Sequence, residues 1–286
     1  MWRRFFMLLG WVALGTMGCA GVGQTALDTT PRFRALVFSK TTGFRHSSIP
    51  NAIAAIQALG AQHTFAVDAT EDAAVFTDTA LSKYQVVIFA ATTGDVLDDA
   101  QQAAFERFIR GGHGYVGIHS ASDTEYEWPW YGGLVGAYFA GHGAIESATL
   151  TVADRVHPAT AGLPAQWVRT DEWYSFKSNP RERVHVLATL DETSAQTSKG
   201  MGPDHPIAWC QEYEGGRAFY TAGGHTPESY AEPLFLEHLL NGIETAAGER
   251  PANCTAIQTA SFEKVTLDSV VRNPMEFDIA KHGRVL

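Results

Sequence analysis

The chain has no concentration of positive charge. Its 21 Lys and Arg stand against 31 Asp and Glu, a net charge of −10. Binding to nucleic acid relies on clustered Lys and Arg to replace the counterions on phosphate, so this balance argues against a nucleic-acid partner. Cysteine is scarce, at three residues. No apolar run, including Phe5 to Met17, is long enough for a comfortable membrane span, and no internal repeat is visible. What remains is ordinary for a globular protein: 45% hydrophobic and 18% charged residues in a chain of 286, enough for one large domain or two small ones.

The first 19 residues read differently. Trp2-Arg3-Arg4 is a basic start, Phe5 to Met17 is almost wholly apolar, and Gly18-Cys19-Ala20 follows. A basic region, a short apolar core and a small-residue site make a secretory signal over residues 1–19. Small residues before Cys19 also resemble a lipoprotein signal, although Thr16 stands where such signals carry Leu. The expected location is the cell envelope, either periplasmic or lipid-anchored through Cys19, or else outside the cell. Any membrane association would come through the signal or lipid alone. Cys210 and Cys254 then remain as an even pair in an oxidising compartment and are expected to form a disulfide. The alternative is two separate buried thiols.

Residues 20–32 are small and polar and read as a linker. Residues 33–250 read as one domain, and 251–286 as an extension. Phe33–Phe38, Phe65–Val67, Gln85–Ala90 and Gly114–Ile118 are short apolar strands. Ser48 is placed to cap a helix that ends at Gly60. Asp98 and Gln101 have the spacing of a capping box for a helix that ends at Gly111-Gly112. Strands alternating with helices predict an α/β fold with a parallel sheet and helices on both faces. The second half adds strands at Ala148–Val152, Val184–Ala188, Ile207–Trp209 and Arg217–Thr221, then a closing helix from about Pro227 to Ala247. His63 and His185 are read as strand residues with structural roles, and His157-Pro158 as a turn.

Ligands of open parallel sheets bind beyond the carboxyl ends of the strands. Three such ends carry a histidine here: His46, His119 and His225. Gly117-Ile118-His119-Ser120-Ala121 has the small neighbours that a nucleophile elbow needs, with imidazole at its tip. Imidazole can act as a general base or bind a metal, and Ser120 is a weaker candidate. Gly141-His142-Gly143, Asp171-Glu172-Trp173-Tyr174, Asp204-His205-Pro206 and Trp128-Pro129-Trp130-Tyr131 are further candidates. Aromatic rings beside polar groups suit sugars, with core packing as the alternative for the aromatics.

Six segments in order, Phe44-Arg45-His46, Gly117–Ala121, Trp128–Tyr131, Asp171–Tyr174, Asp204–Trp209 and Gly215–Tyr220, together resemble the ThuA-like (trehalose utilisation) family. The resemblance implies a flavodoxin-like, class I glutamine amidotransferase-like fold. His225-Thr226-Pro227-Glu228 resembles the His-Pro-Glu segment of those enzymes with one insertion, which would face His225 toward His119. Their catalytic Cys is replaced by His119, so glutaminase chemistry is not expected. The family implies a role on trehalose-like or 3-keto glycosides, as a hydrolase or lyase. The expected catalytic residues are His119, His225, Asp171 and Asp204. Arg45, Ser120, Trp128, Trp130, Tyr131, Glu172 and Trp173 are expected to contact a small carbohydrate. His46, His119, His142 and His225 are the candidate ligands for Zn2+ or another divalent metal. Phe262–Leu267, with Asn273–Asp278 and Gly283–Val285, resembles the opening of a quinoprotein sugar-dehydrogenase propeller. That motivates the alternative of a non-catalytic sugar-binding or accessory module for a dehydrogenase partner.

Overall fold

A computed structural model of the chain describes residues 30–198 and 200–256. The signal-like segment, Cys19 and the propeller-like strand lie outside the described residues. β1 (Arg34–Phe38) leads through α1 (Ile49–His63) to β2 (Ala66–Thr70). The short α2 (Asp78–Leu81) precedes β3 (Val86–Ala90), and α3 (Asp99–Arg110) precedes β4 (Gly114–Ile118). After α4 (Pro129–Val135) come five strands: β5 (Phe139–Val152), β6 (Gln166–Phe176), β7 (His185–Leu190), β8 (Pro206–Tyr213) and β9 (Gly216–Thr221). The helix α5 (Pro233–Ala247) closes the domain.

The nine strands of the described residues form one sheet in the order β2-β1-β3-β4-β9-β8-β7-β5-β6. The first five positions are parallel and reproduce the flavodoxin order, with β9 in the fifth place. The remaining pairings are antiparallel. The fold is therefore α/β and amidotransferase-like, with extra strands in its second half. Every residue of β3 and β4 is buried, as their unbroken apolar sequences require when both faces are covered. Phe38, Phe76, Phe89, Phe105, Tyr115 and Tyr131 pack ring against ring beside them. Burying each such side chain contributes about 1.5–3 kcal/mol.

Local signals explain the element ends, with some corrections. Asp98 accepts from the Gln101 backbone N–H while the Gln101 side chain accepts from that of Asp98, completing the capping box. Ser48 does occupy the N-cap of α1 but makes no side-chain cap. Its hydroxyl instead donates to the Gly224 carbonyl at 3.0 Å. His63 lies in α1, not in a strand. Pro227–Ala231 is a separate 3-10 turn, and the closing helix begins at Pro233, where a proline's missing N–H costs nothing. β5 runs far longer than the sequence suggested, and β6 is a strand that the sequence reading did not anticipate. The first half of β5 is only partly buried, and β6 carries two buried acids, so neither shows clean apolar alternation. Cys210 and Cys254 are joined in a disulfide with Cα atoms 5.3 Å apart. It staples the chain after α5 onto β8.

Candidate functional site

The carboxyl ends of β1, β4 and β9 and the middle of β6 meet at one cluster. The turn after β4 is its centre. His119 takes a φ of +52°, a left-handed conformation that L-residues adopt only under constraint. The constraint comes from its neighbours. A Cβ at Gly117 would stand 2.6 Å from the Tyr115 hydroxyl oxygen and 2.9 Å from a Tyr220 ring carbon, so only glycine fits. The Tyr220 hydroxyl donates to the His119 carbonyl at 2.8 Å, and the Tyr131 hydroxyl to that of Ala121 at 2.7 Å.

The His119 ring is completely buried. Its Nδ1 lies 2.8 Å from the Ala222 carbonyl. A carbonyl can only accept, so Nδ1 carries the proton and Nε2 presents a lone pair. That lone pair faces His225 Nδ1 at 3.1 Å.

His225 follows β9, and an acid on β6 sets its backbone. The Asp171 carboxylate, fully buried, accepts from the backbone N–H of Gly224 at 2.8 Å and of His225 at 3.0 Å. It also accepts from the Ser229 hydroxyl and from the Arg169 guanidinium. Arg169 in turn bonds Glu232 and lies over the rings of Phe235, Trp167 and Trp173. This buried charge is thus paired and hydrogen-bonded throughout, as burial demands.

His46 comes from the loop after β1. One ring nitrogen lies 3.2 Å from the Ser120 hydroxyl. The ring meets those of His119 and His225 edge-on, with centroids 4.8 and 5.0 Å away. Burial, together with the neighbouring imidazoles of His119 and His225, pushes its pKa down to about 3, so it is neutral at physiological pH.

Glu172 completes the group. Its Oε2 lies 3.0 Å from His225 Nδ1 and 3.5 Å from His119 Nε2. Its Oε1 lies 3.1 Å from His142 Nδ1. Burial works against the carboxylate, but the neighbouring His119 and His225 imidazoles outweigh it and hold the pKa well below the ordinary range. One donor atom from each of His46, His119, Glu172 and His225 lies within 4.8 Å of the others. Four donors on a tetrahedral ion with bonds of about 2.0–2.1 Å would stand roughly 3.3–3.4 Å apart. The separations of 3.0, 3.1 and 3.5 Å among His119, Glu172 and His225 bracket that edge length, so these three donors fit a divalent cation, with His46 within 4.8 Å of each.

The structure rearranges the roles expected from sequence. The group that could hold a metal keeps His46, His119 and His225 but has Glu172 in place of His142. The side chain of His142 is 45% exposed, and it touches the cluster only through Glu172. Asp171 does not face the cluster; it braces the His225 backbone. Asp204 is removed from the site because both its oxygens are held by Arg181 and one also by Asn179. Arg45 is turned away by a bidentate pair with Glu71. Ser120 is buried, and its hydroxyl meets only His46. Trp128, Tyr131 and Trp173 are buried in the core, so none of these three rings is presented to a ligand, while Trp130 is partly buried and its indole N–H donates to Glu214. Two neighbours stood in segments singled out from the sequence but were given no role of their own. Tyr174 packs its ring 4.1 Å from that of His119, and Phe44 lies 4.9 Å from the His46 ring. Once β6 is known to be a strand, its alternation puts Tyr174 on the same face as Glu172.

A second cluster joins His157 to the disulfide, with Nε2 3.4 Å from Cys210 Sγ. The Ala159 backbone N–H donates to His157 Nδ1 at 3.1 Å, which leaves the proton on Nε2. The histidine therefore donates toward sulfur and offers no lone pair there.

Comparison with known proteins follows the same lines. A family model described as ThuA, trehalose utilisation, matches residues 34–246. A putative ThuA-like protein from Bacteroides uniformis is similar in structure, with a TM-score of 0.65 at 24% identity, covering 77% of this chain and 93% of that one. One from Parabacteroides merdae gives 0.65 at 21%, covering 80% and 98%. A β-galactosidase from Bacillus circulans gives 0.52 at 15%, covering 78% of this chain but 32% of its own. At these identities the likenesses establish the fold. A search of curated proteins found no match.

Proposed function

Since the chain belongs to the ThuA, trehalose utilisation, family, we propose that it is an exported enzyme acting on trehalose-like or 3-keto glycosides at a divalent-metal centre. His46, His119, Glu172 and His225 would hold the ion, with zinc the first candidate. The observation that carries this reading is the convergence of those four donors. The family description supports the carbohydrate. The disulfide supports export, since such bonds persist in oxidising compartments.

Bound there, the ion would polarise a substrate carbonyl or acidify a water. The chain's own residues prepare the place. The Ala222 carbonyl locks the His119 tautomer, and Asp171 fixes the His225 backbone. Glu172 gives one oxygen to the cluster and the other to half-exposed His142, which links the buried donors to solvent. No thiol stands at the elbow, so acyl transfer through a cysteine is not part of this reading.

The test is metal analysis of purified protein, followed by turnover assays on trehalose and 3-keto glycosides with and without chelator. One ion per chain, and turnover that chelation abolishes and metal restores, is the expected result. No metal uptake by wild type, or turnover untouched by chelation, overturns the metal centre. Sugar binding with no turnover overturns the enzyme and reassigns the chain as an accessory module.

A further inference from the structure

The rings that suit a sugar by sequence are mostly interior, yet one aromatic side chain stands in the open beside the cluster. Phe44 is 66% exposed, the one exposed aromatic among the described residues. Leaving it in water forgoes about 1.5–3 kcal/mol of burial. The ring is not on a loose tip. The Phe44 carbonyl accepts from the Thr93 hydroxyl at 2.8 Å, and the Thr42 backbone N–H donates to the Thr93 carbonyl at 2.9 Å. An exposed ring fixed against His46 is preorganised to receive something.

A second apolar side chain borders the cluster from β5. Ile145 is 50% exposed and pairs directly with Glu172 across the β5–β6 ladder. Directly opposed residues of an antiparallel pair project from the same face, so Ile145 stands on the face that carries the Glu172 carboxylate. Charge narrows the occupant further. Arg45, next to Phe44, is committed to Glu71. Among the described residues, no Lys or Arg hydrogen-bonds or pairs with His46, His119, Glu172 or His225. Phosphate recognition relies on such cations.

We infer that Phe44 is the stacking platform for the apolar face of an uncharged sugar ring, with Ile145 as the opposing apolar wall. The inference rests on the proposed function and adds to it the contact residue and a preference for neutral over phosphorylated sugar. Pyranose rings present C–H bonds on a face, which pack on an aromatic ring while their hydroxyls turn toward polar groups.

The probes are trehalose and a phosphorylated trehalose, with metal-loaded wild type, Phe44→Ala, Phe44→Trp and, as a control, Val156→Ser at another exposed apolar position. Saturation-transfer NMR should show the ring C–H protons of trehalose receiving aromatic saturation in wild type and Phe44→Trp, and losing it in Phe44→Ala. Phe44→Ala should weaken trehalose at least about tenfold, the scale of a lost aromatic contact, with metal content and melting temperature unchanged. Val156→Ser should bind as wild type, and the phosphorylated probe should bind more weakly than trehalose. Equal binding by wild type and Phe44→Ala overturns the platform while leaving the metal centre standing. Tighter binding of the phosphorylated probe overturns the neutral-sugar preference. A metal-loaded wild type that binds neither probe overturns the platform and the carbohydrate reading together.

Discussion

His119 donates its Nδ1 proton to the Ala222 carbonyl across 2.8 Å, and this one bond aims the opposite nitrogen at His225. It makes a clean substitution possible. In His119→Asn, the side-chain amide can reproduce the Nδ1–H donor while the Nε2 position is lost. Asparagine also accepts the left-handed backbone at φ +52° better than most residues. The variant should fold with wild-type stability and bind zinc at least about 100-fold more weakly, since even outer partners of metal ligands are worth about 10–100-fold. Competition titration against a chromophoric chelator, beside a thermal melt, checks both halves.

Asp171→Ala should destabilise the domain by up to about 3–5 kcal/mol, because it leaves the buried Arg169 charge with only the partly exposed Glu232 as carboxylate partner. It also frees the backbone of Gly224 and His225. Urea unfolding measures the first effect. A loss of zinc affinity in whatever fraction remains folded measures the second.

Reduction should destabilise the protein by about 4 kcal/mol if the chain-entropy account of disulfides applies to a span of 44 residues. Guanidinium unfolding with and without a phosphine reductant gives the comparison. Equal midpoints would show that Cys210–Cys254 contributes nothing to the folded state.

Acid should weaken the fold partly through His238. Burial lowers its pKa from 6.5 to about 4. Above pH 6.5 it is neutral whether folded or unfolded and has no effect on stability. As pH falls toward 4 the unfolded chain takes up the proton first, so stability drops across that window. His238 Nδ1 donates to the Ala159 carbonyl at 2.8 Å, a bond that His238→Asn can keep without a titrating group. Melting temperature against pH should fall less steeply between 6.5 and 4 for the variant. Parallel curves would discount His238 as a source of acid sensitivity.

Gly117→Ala should cost about 1–3 kcal/mol by overpacking, because its methyl would meet Tyr115 and Tyr220 inside normal contact distance. Denaturant unfolding reads this directly.

The histidines at the strand ends were legible in the sequence because short apolar strands are easy to see and a parallel sheet has one ligand-binding edge. His46, His119 and His225 needed only that rule. Glu172 was expected to contact a carbohydrate, not to join the histidine cluster. Its strand, β6, mixes buried acids with apolar residues and hides its period of two. His142 sits between two glycines near a break in the β5 register, and sequence spacing cannot say that its ring reaches Glu172 rather than the ion site. The tryptophans misled for a plainer reason: an aromatic beside polar residues looks alike whether it lines a pocket or fills a core, and only burial separates the two. Asp204 was captured by Arg181, a partner 23 positions earlier in the chain that no local motif announces.

The four donors lie in three loops of the parallel half and one strand of the antiparallel half, and the contact of His119 with His225 joins positions 106 apart in the chain. Such a constellation cannot exist in a partly folded molecule. A chain that has built β1 to β4 but has not yet brought β6 home would have a sound interior and no place for an ion. An ion held by these four donors would therefore bind only once β6 has joined the parallel strands.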